Sequence, residues 1–177
     1  MRRQGWIILS LVVVTALPAI AKTHRRTSAV KPEVHRPAMK WQPVRSEQLK
    51  IAMQVPAAWQ IRRSATALGF TSTTPGPQRA AVGVLKSRDR GSIESAVLRH
   101  YQREGEPKEW ERADVKIAGH RAIKIVTVDK ARPDRRVVHY YIETPQGPYL
   151  IECMAPGRLW SAYSPLFTKI LSGIRFL

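Results

Sequence analysis

The chain has 177 residues and one cysteine, Cys153, so a domain with a real core fits but an intrachain disulfide does not. Packing alone must hold the fold. Thirty lysines and arginines against 13 acids give a net charge of +17, which favours anionic partners.

Residues 1–21 divide as a secretory signal does. Arg2 and Arg3 form a positive start, Trp6 to Val14 is almost unbroken apolar sequence, and Ala19-Ile20-Ala21 offers a small-x-small cleavage site. The apolar run is short for a membrane span of about 20 residues. A cleavage-site lipid anchor is excluded because Cys153 is the only cysteine. Cleavage after Ala21 leaves 28 basic and 13 acidic residues, a net of +15. The reading is an exported protein, periplasmic or extracellular.

Residues 22–48 are expected to be a disordered basic linker. They carry Lys22, Arg25, Arg26, Lys31, Arg36, Lys40 and Arg45, with Pro32, Pro37 and Pro43 and no apolar period. Such a stretch buries too little surface to offset its ordering entropy.

Residues 49–177 are expected to be the folded domain. Leu49, Ile51, Met53 and Val55 alternate with polar or small residues, the period of a half-buried strand, and Trp59-Gln60-Ile61 resumes it after Pro56. Further strands fall at Ala67 to Thr71 and Ala80 to Lys86, separated by the turn residues Thr74-Pro75-Gly76-Pro77. Ser92 caps a helix whose inner face carries Ile93, Ala96, Val97 and Tyr101, with Arg99 and His100 expected outside and Gly105 ending it. Strands then follow at Glu111 to Ile117, Ala122 to Val128, Val137 to Glu143 and Tyr149 to Cys153, with turns at Ala118-Gly119-His120 and Thr144 to Gly147. A last helix, capped by Ser164 with Pro165 at its first position, buries Tyr163, Leu166, Phe167, Ile170, Leu171 and Ile174. Ile174 to Phe176 makes a short terminal strand. This order predicts an α+β domain: a central antiparallel sheet flanked by helices, with Trp59, Tyr163, Phe167 and Ile170 in its core.

Several segments taken together resemble the PsbP-like family, the extrinsic photosystem II subunit and its small exported bacterial relatives. They are Ile51 to Trp59 ending in Val-Pro-x-x-Trp, the Ile117-x-Gly119 turn, the Tyr140-Tyr141 to Tyr149 hairpin around Gln146-Gly147, Ala155-Pro156, Tyr163-Ser-Pro165-x-Phe167 and Ser172-Gly-Ile-Arg-Phe176. The resemblance implies an antiparallel sheet flanked by helices and a non-enzymatic accessory or binding role. The chain departs from many bacterial members in lacking a lipobox and in its long basic tail.

Motifs for other chemistries are absent. The sequence has no Gly-x-Gly-x-x-Gly, no Gly-x-x-x-x-Gly-Lys, no His-Glu-x-x-His and no cysteine pair. No cofactor is expected. Glu104, Glu106, Glu109 and Glu111 form a solvated stretch rather than carboxylates facing across a cleft. His24 and His35 lie in the tail and His120 at a turn, leaving His139 as the one histidine suited to a site. The candidate ligand-binding residues are His139, Tyr141 and Asp129. A metal site would combine His139 with Asp129 or Glu143, and a nucleophilic pair would set Cys153, which otherwise reads as buried and inert, beside His139 or His120. Basic residues of the domain (Lys86, Arg88, Arg90, Arg99, Arg103, Arg132, Arg135 and Arg136) join those of the tail. Export makes anionic lipid headgroups or wall polymers better partners than nucleic acid. Three readings remain: a binding domain with a protein or small-ligand partner, an electrostatic binder of envelope surfaces through the tail, and a metal-binding or hydrolytic domain using His139.

Overall fold

The computed structural model describes residues 39–87, 91–105, 111–129 and 131–177. The expected signal peptide and most of the expected linker, with Lys22, Arg25, Arg26, Lys31 and Arg36, lie outside the described residues, as do Arg88 and Arg90.

The strands in chain order are β1 (Trp41–Ser46), β2 (Ile51–Pro56), β3 (Gln60–Arg63), β4 (Ala67–Thr71), β5 (Ala81–Lys86), β6 (Glu111–Ile117), β7 (His120–Val128), β8 (Arg135–Ile142), β9 (Tyr149–Pro156) and β10 (Arg175–Phe176). Helix α1 (Ile93–Glu104) separates β5 from β6, and α2 (Trp160–Ser172) separates β9 from β10. Every pairing is antiparallel. The expected central antiparallel sheet is present, and a second, smaller sheet accompanies it. A small sheet has the order β1-β2-β10, and a seven-stranded sheet has the order β3-β4-β5-β9-β8-β7-β6.

The pleat explains the two cores. Phe70, Val82, Val84, Ile151 and Cys153 project from one face of the large sheet into a core closed by α2 and the small sheet. Phe167 and Ile170 of α2 are 3% and 0% exposed there, and Trp59 packs edge-on to Phe167 at 6.5 Å. Tyr163, expected in the core, is only half-buried at its margin, where its hydroxyl lies 3.2 Å from that of Thr74. On the opposite face, Ile93 and Val97 of α1 cover Ile123, Ile125 and Tyr141.

Three boundaries differ from expectation. The linker does not reach residue 48, because Trp41–Ser46 is β1, paired from Trp41↔Pro56 to Ser46↔Ile51. Pro43, which reads as a tail proline, is tolerated because β1 is an edge strand. Leu49 lies in the β1–β2 turn, and β2 begins at Ile51. Helix α2 begins at Trp160, with Ser164 and Pro165 inside it. Trp160 packs 5.4 Å from Phe167 and under the Arg136 guanidinium at 5.2 Å, and those contacts extend the helix a turn before the proline. Among the described residues no helix is long and apolar enough to cross a membrane.

Candidate functional site

The β8–β9 hairpin and α1 build one polar cluster. Along β8 the pleat sends Val137, His139 and Tyr141 toward α1, and Val138, Tyr140 and Ile142 the other way. In register, His139 stands opposite Glu152 and Tyr141 opposite Leu150. The His139 imidazole is 7% exposed, and its Nε2 lies 3.0 Å from Oε2 of Glu152. Its other ring nitrogen, Nδ1, is buried without a hydrogen-bond partner among the described residues. An unsatisfied buried polar atom costs about 1–3 kcal/mol. A donor or acceptor reaching that nitrogen would recover this cost.

His100 closes the cluster from above. It is buried, its ring 5.0 Å from that of His139 and 5.9 Å, edge-on, from that of Tyr141. This overturns its expected place on the outer helix face, and Arg99 beside it is half-buried rather than exposed. His100 lies three residues after Val97 and seven after Ile93, so helical spacing alone puts it in the inner stripe. Its polarity hid that position. Glu152 was missed too, although a single acid in the apolar run Tyr149–Pro156 is a signal of its own.

Two cavities flank α1, and His100 lines both. One of about 300 Å³ opens over His139, Glu152, Thr127, Met154 and Asp129. The other, of about 710 Å³, lies toward β5 and the end of β9.

Of the three expected ligand-binding residues, His139 and Tyr141 share the cluster. Asp129 reaches the cavity wall with its carboxylate otherwise engaged. It accepts hydrogen bonds from the amides of Ala131 (2.9 Å) and Arg132 (3.2 Å), and pairs with the Arg132 side chain at 3.4 Å. Glu143 is exposed and pairs with Arg121 at 3.7 Å instead of approaching His139. Among the described residues, no three His, Cys, Asp or Glu side chains are placed to hold a metal ion.

The Cys153–His139 pair does not form. Cys153 stands opposite Val138, one residue out of step with His139, so the thiol faces the α2 core while the imidazole faces α1. Burial pushes the thiol well above its ordinary range, with the neighbouring Glu152 charge adding to the effect. Cys153 is 1% exposed and inert toward nucleophilic chemistry in the folded state.

No protein-family model and no curated protein sequence matches the chain. Solved structures do. Cyanobacterial PsbP (CyanoP) from Synechocystis superposes with a TM-score of 0.55 at 10% identity, over 78% of this chain and 94% of that one. A Pseudomonas aeruginosa protein of unknown function, PA94, gives 0.49 at 17% identity, over 75% and 94%. LpqN of Mycobacterium tuberculosis, a protein involved in cell envelope biogenesis, gives 0.48 at 13% identity, over 77% and 90%. The antiparallel sheets, the helix on each side of the larger one and the CyanoP superposition together give this chain the PsbP-like α+β fold.

Proposed function

We propose that this protein is an exported, non-enzymatic binding domain of the cell envelope that takes its ligand beneath α1. The observation carrying this reading is His139: a buried imidazole held by Glu152 on one side, with its second nitrogen unpartnered among the described residues and beside a cavity. A carboxylate that orients an imidazole is also half of a catalytic relay. The non-enzymatic reading is supported by the thiol being turned to the far face and by Asp129 being spent on its own loop. Export is supported by the sequence of residues 1–21.

The test is an amide-resonance titration of the protein with envelope extract from its native host. Saturable shifts grouped on α1, β8 and β9, with the extract chemically unchanged, are expected. Turnover of an extract component would make it an enzyme. Shifts confined to other elements would move the site.

A second reading rests on charge. The chain predicted after cleavage carries +15, with two clusters at Lys22 to Arg26 and Lys31 to Arg36. Here the tail holds the protein on anionic envelope surfaces through non-specific attraction, and the domain serves as its cargo.

A further inference from the structure

The cavity of about 300 Å³ at the C-terminal end of α1 is built on one face of the large sheet. Met154 stands opposite Val137, and Val137 opposite Thr127, two residues along the pleat from the facing pair Glu152 and His139. All five side chains therefore project toward α1, and all five residues line the cavity. Met154 and Val137 make part of the wall apolar. Gly105, the C-cap of α1, borders it as well.

The unsatisfied polar groups at this wall share one property. An ionised carboxylate only accepts hydrogen bonds, so across the 3.0 Å contact Nε2 of His139 donates to Oε2 of Glu152. In the neutral imidazole Nδ1 is then an acceptor, and it has no donor among the described residues. The second carboxylate oxygen of Glu152, Oε1, has none among them either. The Glu152 side chain is 26% exposed, open enough to be reached and enclosed enough for its charge to act strongly. The chain carries 30 lysines and arginines, yet none is among the described residues lining this cavity, whereas Glu152 and Asp129 are. Asp129 is held by Arg132 and by its own loop, which leaves Glu152 as the charge a ligand meets. The C-terminal end of a helix adds partial negative charge.

We infer that this cavity takes a primary alkylammonium group, with its N–H donors set against Glu152 and its short hydrocarbon stem against Met154 and Val137. The His139 N–H engages one carboxylate oxygen and leaves the other to the ligand. An anion would be repelled by Glu152, and a neutral donor would leave its charge uncompensated. A metal ion is a poorer occupant, because no three His, Cys, Asp or Glu side chains among the described residues are placed to hold one. The volume sits at the small end of the range for ligand sites, about 300–1,000 Å³, which suits a stem of a few carbons. A free amine and the lysine side chain of a partner present the same group. The inference rests on the binding reading above and names the ligand class for that same site.

The experiment follows amide resonances of the full protein during titration with n-butylamine, 1-butanol, butyrate and n-butyltrimethylammonium at neutral pH. Butylammonium should give saturable shifts on the last turn of α1, β8 and β9, with a Kd of about 0.1–10 mM, the range open to about five heavy atoms. The alcohol keeps a donor without the charge, and the trimethylammonium ion keeps the charge without a donor. Both should bind at least about tenfold more weakly, and butyrate should not bind. Nα-acetyl-lysine methylamide carries the same ammonium on a backbone, and its affinity relative to butylamine tells which source is preferred. Glu152→Gln keeps the shape and loses the charge, and should weaken butylammonium by about tenfold or more. Glu143→Gln, the same change at an exposed acid that does not line the cavity, should bind as the wild type does. Met154→Lys puts a cation in the wall and should abolish binding, while Met154→Leu should keep it. Unfolding midpoints check that each variant is folded. Equal binding of alcohol and amine, an unaffected Glu152→Gln or Met154→Lys variant, or the same saturable shifts produced by zinc ion at lower concentration would overturn the inference. If butylammonium fails while extract still shifts α1, β8 and β9, the binding reading stands and only the ligand class falls. If both fail, both fall.

Discussion

The hydroxyl of Tyr149 donates a hydrogen bond to the backbone carbonyl of Leu49, a residue 100 positions earlier in the chain. Tyr149 opens β9 in the large sheet, and Leu49 sits in the turn that joins the two longer strands of the small one. With the ring 1% exposed, this bond fastens one sheet to the other inside the core. Replacing Tyr149 with phenylalanine keeps the packing and strands the carbonyl. The expected loss is about 1–3 kcal/mol, read from the urea midpoint. An unchanged midpoint would mean that the sheets are held by apolar contact alone.

Core and surface positions of the helices should separate cleanly. Phe167→Ala should cost about 3–5 kcal/mol and Ile170→Ala about 2–5 kcal/mol, because both side chains are almost fully enclosed. Leu98→Ala, at a position 59% exposed on α1, should shift stability by less than about 0.5 kcal/mol. Comparable shifts in urea midpoint across the three variants would contradict the packing described.

Alkaline pH should destabilise the protein in two stages. Burial holds the Cys153 thiol protonated well above its unfolded value of about 8.5, and pushes the Tyr140 hydroxyl up to about 12 from about 10. Burial raises Tyr149 as well. In each case the folded state keeps a proton that the unfolded state gives up. Stability is therefore full below the unfolded pKa and declines as pH rises above it. Urea midpoints should begin to fall above pH about 8.5 and fall faster above about 10. Cys153→Ala should flatten the first stage and Tyr140→Phe should reduce the second. In the same protein a thiol reagent should label Cys153 slowly when native and rapidly in urea, and rapid native labelling would contradict its burial.

The β6–β7 turn carries a correctable strain. Ala118 and Gly119 join Ile117 to His120, with φ of 50° and 81°. A two-residue hairpin with positive φ at both positions suits Asn-Gly far better than Ala-Gly. Ala118→Asn should raise stability by about 0.5–1 kcal/mol, measured in urea, since asparagine tolerates the left-handed region. A fall in stability would show that this turn is held by its neighbours rather than by its own preference.

The tail prediction separates the two functional readings. Each lysine or arginine near an anionic membrane is worth about 1 kcal/mol, screened over a Debye length of about 10 Å at 0.1 M salt. Protein beginning at Lys22 should bind anionic vesicles at low salt and leave them at high salt. Protein beginning at Met39 keeps β1 whole and should bind them much more weakly. A truncation at Leu49 would be a false control, because it removes a strand paired along all of β2. Equal vesicle binding by the two longer chains would place the electrostatic site on the domain.

What the sequence determined by itself was the run of local elements: alternating strands, their hairpin turns, two amphipathic helices and the burial of Trp59, Phe167 and Ile170. These follow from periods of 2 and 3.6 residues, which act between near neighbours and are written along the chain. Cys153 was legible as buried for the same reason. Only the tertiary structure decided the rest, because it depends on which distant segments meet. β1 looks like linker until β2 lies beside it, since a strand with Pro43 needs a partner and a free edge. His100 becomes part of the site only when α1 is laid across β8. Glu152 meets His139 and Cys153 does not, and that choice hangs on the β8–β9 register. A slip of one residue would exchange the two, turning the thiol toward the imidazole and the carboxylate into the apolar core. The burial of both cores forbids that slip, and so tertiary packing, not local pattern, selects the chemistry under α1.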